Sequence, residues 1–451
     1  MSRLHSRSSA RWRAPRGGAI VLAISLAVGV GPWAPAYGRT WVVENDPDNP
    51  VDQIGAVVIA AAFGDSILIG PGTYYEHIPI QEKELTLIGT EGPDATILDG
   101  SRAIDGREGA VLYAIGRLMK SLTLQGLTFR NGTGVPHNYG SYTHGGGIFW
   151  EARYPGGVLE IRDCAFEDNE AEEWGGAIFA VVPGLHLIDC WFGSNRASWG
   201  LDAGIDAGTG TIEGCTFELS YEGGRAAIGL IGADYLRIAD CEFIGTEAGH
   251  QQRSISGGAT RLEIENNRFI DRVGTLATGL DLSMPAGHVD QEVSVELRNN
   301  LFVRAGSKPP SEDVYIQIAV PRGEITIEGN TFVDAPDVVT GVTPGSLHVR
   351  RNIFLGTAFR YVAVRGEVAC NDSWPDPLVP GQFAIEFRDN ISKDPLFCDP
   401  SALDFRISDT SRCAAENAPE GCGQIGWFPP ACRLTPVIEQ SWGQIKQRFV
   451  R

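Results

Sequence analysis

Two glutamates, Glu263 and Glu296, form an acidic pair that could do chemistry. Each lies four residues before an asparagine in a repeated segment, LEIENNRF or VELRNNLF. If the two segments are neighbouring parallel strands, they lie about 4.8 Å apart, close to the separation of about 5–5.5 Å between the carboxyl groups of a retaining glycoside hydrolase. Arg237 and Arg298 occupy nearby positions and favour the charged form of both carboxylates, whereas a general acid needs a proton. The catalytic residues therefore stay open, with Glu263 and Glu296 as candidates.

Aromatic side chains beside carboxylates indicate a second kind of chemistry, carbohydrate binding. Phe149, Phe179 and Asp206 each follow an isoleucine. Alignment of those isoleucines on the inner side of neighbouring strands places the three residues in one outward column. Trp174 and Trp199 lie in the loops nearby. Rings that stack on sugars, next to groups that form hydrogen bonds, suit a glycan; ordinary loop packing is the alternative.

The nine cysteines divide into two groups with different expected roles. Four occupy equivalent positions in successive repeats and predict either buried thiols or stacked disulfides: Cys164, Cys190, Cys215 and Cys241. Five lie in the last third of the chain: Cys370, Cys398, Cys413, Cys422 and Cys432. We expect at least one disulfide among the last four, because bridges compensate for a small core in exported proteins. A straight column of cysteines offers no tetrahedral site, so no metal is predicted.

A short segment recurs nine times along the middle of the chain. Each copy has alternating apolar residues, and a small, thiol or amide residue usually stands two positions before a phenylalanine. That column consists of Leu127, Cys164, Cys190, Cys215, Cys241, Asn267, Asn300, Asn330 and Asn352, and a weaker copy adds Asn390. Repeats of 20–50 residues are typical of solenoids. Short strands between Gly, Asn and Asp turns favour coils of parallel strands.

Stacking of coils explains why the same residue types recur. One coil cannot bury its apolar face alone, so neighbouring coils supply the core. Identical residues then lie above one another at about 4.8 Å. Stacked asparagine amides can satisfy each other, whereas an unpaired buried amide costs roughly 1–3 kcal/mol. The repeat therefore predicts a ladder of hydrogen-bonded asparagines beside a stack of phenylalanine rings.

This asparagine column beside a phenylalanine stack resembles the right-handed parallel β-helix of the pectin-lyase-like superfamily. FEDN at 166–169, followed by GGAI at 175–178, is similar to the repeat of polymorphic outer-membrane proteins. Residues 64–65 and 70–74 look like the first coils of secreted bacterial β-helix proteins. The resemblance covers about residues 40–432 and implies an all-β chain with a single right-handed parallel β-helix. It implies no particular activity, because the superfamily holds lyases, hydrolases, epimerases and adhesins.

The sequence predicts four regions. Residues 1–36 have the features of a signal peptide: a basic start with no acid, an apolar run at 19–30, and Ala34-Pro35-Ala36 at the cleavage position. Residues 37–64 would form an N-terminal strand and a capping segment that covers the first coil. Residues 65–395 would form the β-helix, and residues 396–451 a cysteine-rich cap and tail stapled by disulfides. Export through such a signal predicts a secreted or cell-envelope protein with no later membrane span.

Charge and composition narrow the function further. The chain has 451 residues and a formal net charge of −19, which argues against nucleic acid and against binding of polyanions by charge alone. No cofactor is predicted, although calcium could bridge an acidic chain and a polyanion. We expect a non-catalytic exported protein that binds a glycan or another surface, or serves as an envelope scaffold. The alternative is a polysaccharide lyase or glycoside hydrolase with an unrecognised active site, since the Asn-Thr-Asp and Gly-His-Gly segments of polygalacturonases are missing.

Overall fold

Parallel strands make up nearly all the regular structure of the chain. The computed structural model describes residues 38–46, 53–102, 109–116, 121–136, 142–152, 155–200, 202–219, 226–245, 253–272, 279–283, 291–304, 315–335, 337–380 and 385–433. The predicted signal peptide at 1–36 and the tail at 434–451 lie outside the described residues. The strands stack in register into a single β-helix-like solenoid, which confirms the predicted all-β fold class.

The strands of the stacked coils form three faces of the solenoid. The first face contains Ile78–Ile80, Leu112–Gly116, Ile148–Ala152, Arg253–Gly257, Leu280–Ser283 and Tyr315–Val320. The second face contains Thr40–Val43, Asp65–Ile69, Leu85–Gly89, Ser121–Gln125, Val158–Arg162, Arg261–Glu265, Val293–Arg298, Gly323–Glu328 and Glu386–Arg388. Five long strands continue from the first face into the second: Ile178–Ile188, Ala203–Glu213, Ala226–Ala239, Asp337–Arg350 and Phe359–Ala369.

The third face is a sheet of 12 strands. It contains Gly72–Tyr75, Thr96–Asp99, Thr128–Arg130, Ala165–Glu167, Trp191–Gly193, Thr216–Leu219, Glu242–Gly245, Arg268–Asp271, Leu301–Arg304, Thr331–Val333, Ile353–Leu355 and Asp372–Trp374. A small antiparallel pair, Val135–Pro136 with Thr143–His144, projects from one coil.

A left-handed residue turns the chain from the second face into the third. This residue directly precedes the repeated column, and its φ lies between 48° and 68° in all eleven copies: Gly126, Asp163, Asp189, Gly214, Asp240, Asn266, Asn299, Gly329, Arg351, Cys370 and Asp389. Gly, Asn and Asp tolerate this conformation better than other residues do. This position, which is Gly, Asn or Asp in nine of the eleven copies and Arg351 or Cys370 in the other two, is therefore the bend that closes the coil.

Phenylalanine rings fill the core behind that bend. Eight consecutive ring pairs stack from Phe129 to Phe354, with centroids 4.5–5.1 Å apart and planes within 9° of parallel. Each of these rings is fully buried. Alternating aliphatic residues of the first and second faces complete one continuous core.

The asparagine ladder is present and longer than predicted. Asn267, Asn300, Asn330 and Asn352 are all fully buried. Each Oδ1 accepts a hydrogen bond from the backbone N–H of the column residue in the preceding coil, at 2.8–2.9 Å. The Oδ1 atoms of Asn300, Asn330 and Asn352 also accept from the Nδ2 of the asparagine in the preceding coil, at 2.9–3.1 Å. The second Nδ2 hydrogen reaches a backbone carbonyl, as Asn300 does to Ile264. Asn390, which the weaker copy predicts, also belongs to the ladder, and Asn371, which no repeat predicts, joins it to Asn352, so the ladder has six members.

Four cysteines continue the same column toward the N-terminus as free, buried thiols. Cys190 Sγ, for example, donates to the Ile188 carbonyl at 3.3 Å. Burial raises the pKa of the Cys164 and Cys190 thiols well above the usual value. Of the two predicted alternatives, buried thiols and stacked disulfides, the structure has the thiols.

Helix α1, Gln53–Ala60, covers the open end of the first coils, and both of its ends are held by charged side chains. The Glu76 carboxylate accepts hydrogen bonds from the first three N–H groups, of Gln53, Ile54 and Gly55, at 2.6–2.9 Å. Lys83 Nζ donates to three carbonyls at the other end, at 2.7–2.8 Å. These contacts oppose the helix dipole at both ends.

The C-terminal segment packs along the outer side of the third face. Phe397, Phe405, Ile407 and Ile425 form one apolar cluster with outward residues of the last coils such as Leu355. The segment includes the antiparallel strands Phe397–Asp399 and Asp404–Ile407 and a short 3-10 helix, Pro400–Ala402. Disulfide Cys370–Cys422 links it to the last coils, and disulfide Cys398–Cys432 closes a loop within it.

The Cys398–Cys432 disulfide confirms the prediction of a bridge among the last four cysteines. Cys413, also a predicted disulfide candidate, is not part of one and is a buried thiol. Its Sγ donates a hydrogen bond to Asp372 Oδ2 at 3.0 Å. Burial raises the pKa of Asp372 to about 6, against the lowering effect of this hydrogen bond.

Candidate functional site

The predicted acidic pair lies on adjacent strands of the second face. Glu263 and Glu296 occupy the same register position. Glu263 accepts a hydrogen bond from the Tyr235 hydroxyl at 2.9 Å and pairs with Arg261 at 2.6 Å, whereas Glu296 pairs with Arg298 at 2.9 Å. Both carboxylates thus bind cationic or hydroxyl partners on the same face.

The column beside this pair is a ladder of alternating charges. Glu265, Arg298, Glu328 and Arg350 align in consecutive coils. Arg298 lies 3.7 Å from Glu328, and Arg237 lies 2.5 Å from Glu265. Opposite charges across neighbouring strands stabilise register. The charges of this column are therefore explained by the register of the neighbouring strands.

The predicted aromatic column is correct for two residues and wrong for the third. Phe149 and Phe179 pair in register and stack with centroids 5.4 Å apart. Asp206 lies opposite Val181, two positions further along the strand, because Ala203 takes the inner position next to Ile178. The prediction paired Ile178 with Ile205 because both are large, whereas the residue that pairs with Ile178 is the small Ala203.

The side chains of Phe149 and Phe179 lie on the outer side of the first face, and yet both are buried beneath neighbouring residues. Their side chains are 0% and 4% exposed and pack with Ala110 and Val181 in a small cluster. Trp174 packs against the same cluster from outside. The rings that could meet a ligand are therefore those of the covering loops.

Two stacked indoles form the accessible aromatic surface of this region. Trp174 and Trp199 are half-buried, with centroids 5.4 Å apart and planes 17° from parallel. Backbone bridges join His144 to Trp174 and Trp174 to Trp199, so three successive coils carry the surface. A Cβ on Gly229 would lie 2.8 Å from the Trp174 ring. Glycine at this position therefore leaves room for the indole.

Polar groups border these indoles. His144 Nε2 lies 3.4 Å from Glu173 Oε2, and its ring lies 4.9 Å from that of Phe179. Thr143 and Glu172 exchange hydrogen bonds on the exposed side. We call Trp174, Trp199 and their polar neighbours the tryptophan surface. Flat apolar rings beside carboxylates are the arrangement that sugar rings bind.

One group of three potential metal ligands occurs in the described ranges, and its chemistry does not suit a metal. It consists of Cys370, Asp389 and Cys422. The two cysteines form a disulfide, whereas metals bind the thiolate. In the same ranges, no helix has the length and apolar character needed to cross a membrane.

Comparison with known proteins gives one distant similarity. The chain is 26% identical over 224 residues to metabotropic glutamate receptor-like protein R of Dictyostelium discoideum. The match covers 48% of this chain but only 13% of that much longer protein. No family model and no solved structure matches the chain.

Proposed function

We propose that this chain is an exported, non-catalytic β-helix protein of the pectin-lyase-like type that binds a glycan or glycan-coated surface through the tryptophan surface. The observation that carries the proposal is the stack of Trp174 on Trp199, which are half-buried in loops joined by backbone bridges between neighbouring coils. Rings held in place before binding lose little conformational entropy when a ligand stacks on them. The signal-like N-terminus and the two C-terminal disulfides support export.

Binding of neutral oligosaccharides tests the proposal. A glycan array identifies a ligand, and titration with tryptophan fluorescence gives its affinity, which we expect to be millimolar to micromolar, about −4 to −8 kcal/mol. Trp174→Ala and Trp199→Ala should each weaken binding at least tenfold. Trp191→Ala is the control, because Trp191 is equally half-buried but lies on the third face. Equal affinity in all four proteins would rule out the tryptophan surface.

The alternative function is a polysaccharide lyase or glycoside hydrolase. The observation in its favour is that Glu263 and Glu296 do lie on adjacent strands, as predicted. Against it stand their separate arginine and tyrosine partners. Product release from polysaccharides separates this alternative from simple binding.

A further inference from the structure

A groove of about 810 Å³ runs along the last coils, where the chain turns from the first face into the second. It crosses the strands Val293–Arg298, Gly323–Glu328, Asp337–Arg350 and Phe359–Ala369. This volume is typical of a ligand-binding cleft. We propose that the groove binds a ligand that carries an oxyanion, such as a carboxylate or a sulfate or phosphate ester, together with neutral or cationic groups.

The floor of the groove is kept open by glycine. Val293, Gly323 and Gly345 align in consecutive coils. Gly323 has φ +127°, and a Cβ there would lie 1.9 Å from the Val293 carbonyl oxygen. No side chain can therefore fill this position. The hydroxyl groups of Ser294 and Ser346, both half-buried, line the same floor.

Two arginines of the groove have no partner. The guanidinium groups of Arg322 and Arg365 are exposed, and neither forms a hydrogen bond or ion pair within the part of the chain that is described. Arg261, in the groove wall, pairs with Glu263. Other strand arginines, such as Arg237 and Arg298, are also paired. In an acidic chain, two arginines that line one groove and have no ion pair among the described residues indicate an anionic ligand, since guanidinium binds carboxylate and phosphate through two parallel hydrogen bonds.

Two carboxylates limit what that ligand can be. Glu292 and Glu324 line the same groove, and Glu324 lies 3.7 Å from His348 Nε2. A uniform polyanion would meet both of these charges and be repelled. A ligand with one anionic group beside hydroxyl or amino groups matches the groove better. The site lies on other coils than the tryptophan surface, so the inference does not depend on the proposed function.

Calorimetric titration of the full chain at low ionic strength tests the site. The probes are D-glucuronate, inorganic sulfate and inorganic phosphate, with D-glucose as the neutral match for glucuronate. We expect saturable binding of at least one anion, and at least tenfold weaker binding of glucose. The ranking of the three anions distinguishes a carboxylate ligand from a sulfate or phosphate ester.

Variants locate the binding in the groove. Arg322→Gln and Arg365→Gln should each weaken anion binding at least fivefold, and the double variant more. Arg360→Gln is the matched control, because Arg360 lies on the same strand as Arg365 but outside the groove and pairs with Asp337 at 3.1 Å. Circular dichroism checks that every variant is folded. Absence of saturable binding by the unaltered chain, or equal affinity in all variants, would overturn the proposal.

Discussion

At the scale of single residues, several buried amide and carboxyl groups of this solenoid form hydrogen bonds with one another. Asn169 Nδ2 donates to Asn195 Oδ1 at 3.1 Å, and Asn195 Nδ2 donates to Asp202 Oδ1 at 2.9 Å. All three side chains are buried. They form a short second ladder, at the turn that leads into the first face. Asp202, at its end, is the member that can ionise.

Asp202 should make the stability of the protein depend on pH. Burial raises the pKa of Asp202 to about 7, against the lowering effect of the Asn195 hydrogen bond. The folded state therefore holds a proton that the unfolded state, with a pKa of 3.8, releases. Stability should fall as the pH rises from about 4 to about 7.

Asp202→Asn tests this expectation, because the variant cannot ionise and keeps a carbonyl acceptor for Asn195. We expect the variant to melt at least about 2 °C higher than the unaltered chain at pH 8. The two proteins should differ less at pH 5. A parallel pH dependence of both melting temperatures would show that Asp202 does not contribute.

The long asparagine ladder predicts a graded cost of substitution. Asn330→Leu removes the Oδ1 that accepts from the Asn300 N–H and Nδ2 and the Nδ2 that donates to Asn352 Oδ1, and it should cost roughly 1–3 kcal/mol. Asn390→Leu should cost less, because Asn390 ends the ladder and is only half-buried. Denaturant unfolding measures both values. Equal costs would contradict cooperation along the ladder.

At the scale of elements, helix α1 depends on two charged side chains that it does not contain. Glu76→Gln removes the negative charge from the N-terminal N–H groups, and Lys83→Met removes the donor from the last carbonyls. A charge at a helix end contributes about 0.3–1 kcal/mol, and up to about 2 kcal/mol in buried sites.

We expect Glu76→Gln to lower the free energy of unfolding by about 1–2 kcal/mol, because Glu76 is buried. Hydrogen exchange at Gln53, Ile54 and Gly55 should increase in the same variant. Glu82→Gln is a control on the exposed surface close to the same coils. Unchanged exchange at those three amides would contradict the role of Glu76.

The strands could be predicted from the sequence because each repeat contains its own signals. The loops that cover the strands could not be predicted, because they do not repeat. Alternation, the Gly/Asn/Asp bend and the phenylalanine position together define the second and third faces. Asn371 escapes the pattern because Ser373 replaces the phenylalanine at the equivalent position. The burial of Phe149 depends on loops that do not repeat, and the groove with Arg322 depends on glycines from separate coils. The buried phenylalanines and the groove both arise from the way neighbouring coils stack, so no single segment of the sequence predicts them.

At the scale of the whole molecule, one core is covered in two different ways. Helix α1 lies over the first coils, while the C-terminal segment covers outward apolar residues of the last coils and contains two disulfides, one of which links it to those coils. The first and second faces, and the third face before the last coils, keep accessible outer sides among the described residues. Any binding or chemistry of the solenoid body is therefore to be sought there.

The last prediction concerns catalysis on those faces. We expect no turnover of polyuronates, with or without calcium. The net charge of −19 repels polyanions, and the five lysines are scattered along the chain, with Lys83 occupied at the end of helix α1. Glu263 and Glu296, the best-placed acidic pair, are ion-paired with Arg261 and Arg298, so both carboxylates already have partners on their own face.

Absorbance of unsaturated uronates, together with release of reducing ends, measures both kinds of cleavage. The comparison includes Glu263→Gln and, as a control, Glu242→Gln, which removes a similarly ion-paired carboxylate on the third face. We expect none of the three proteins to release product above the rate of the buffer. Turnover that is lost in Glu263→Gln and kept in Glu242→Gln would establish the acidic pair as an active site. Turnover that survives both substitutions would place an active site elsewhere on the solenoid, and either result would contradict a purely binding role.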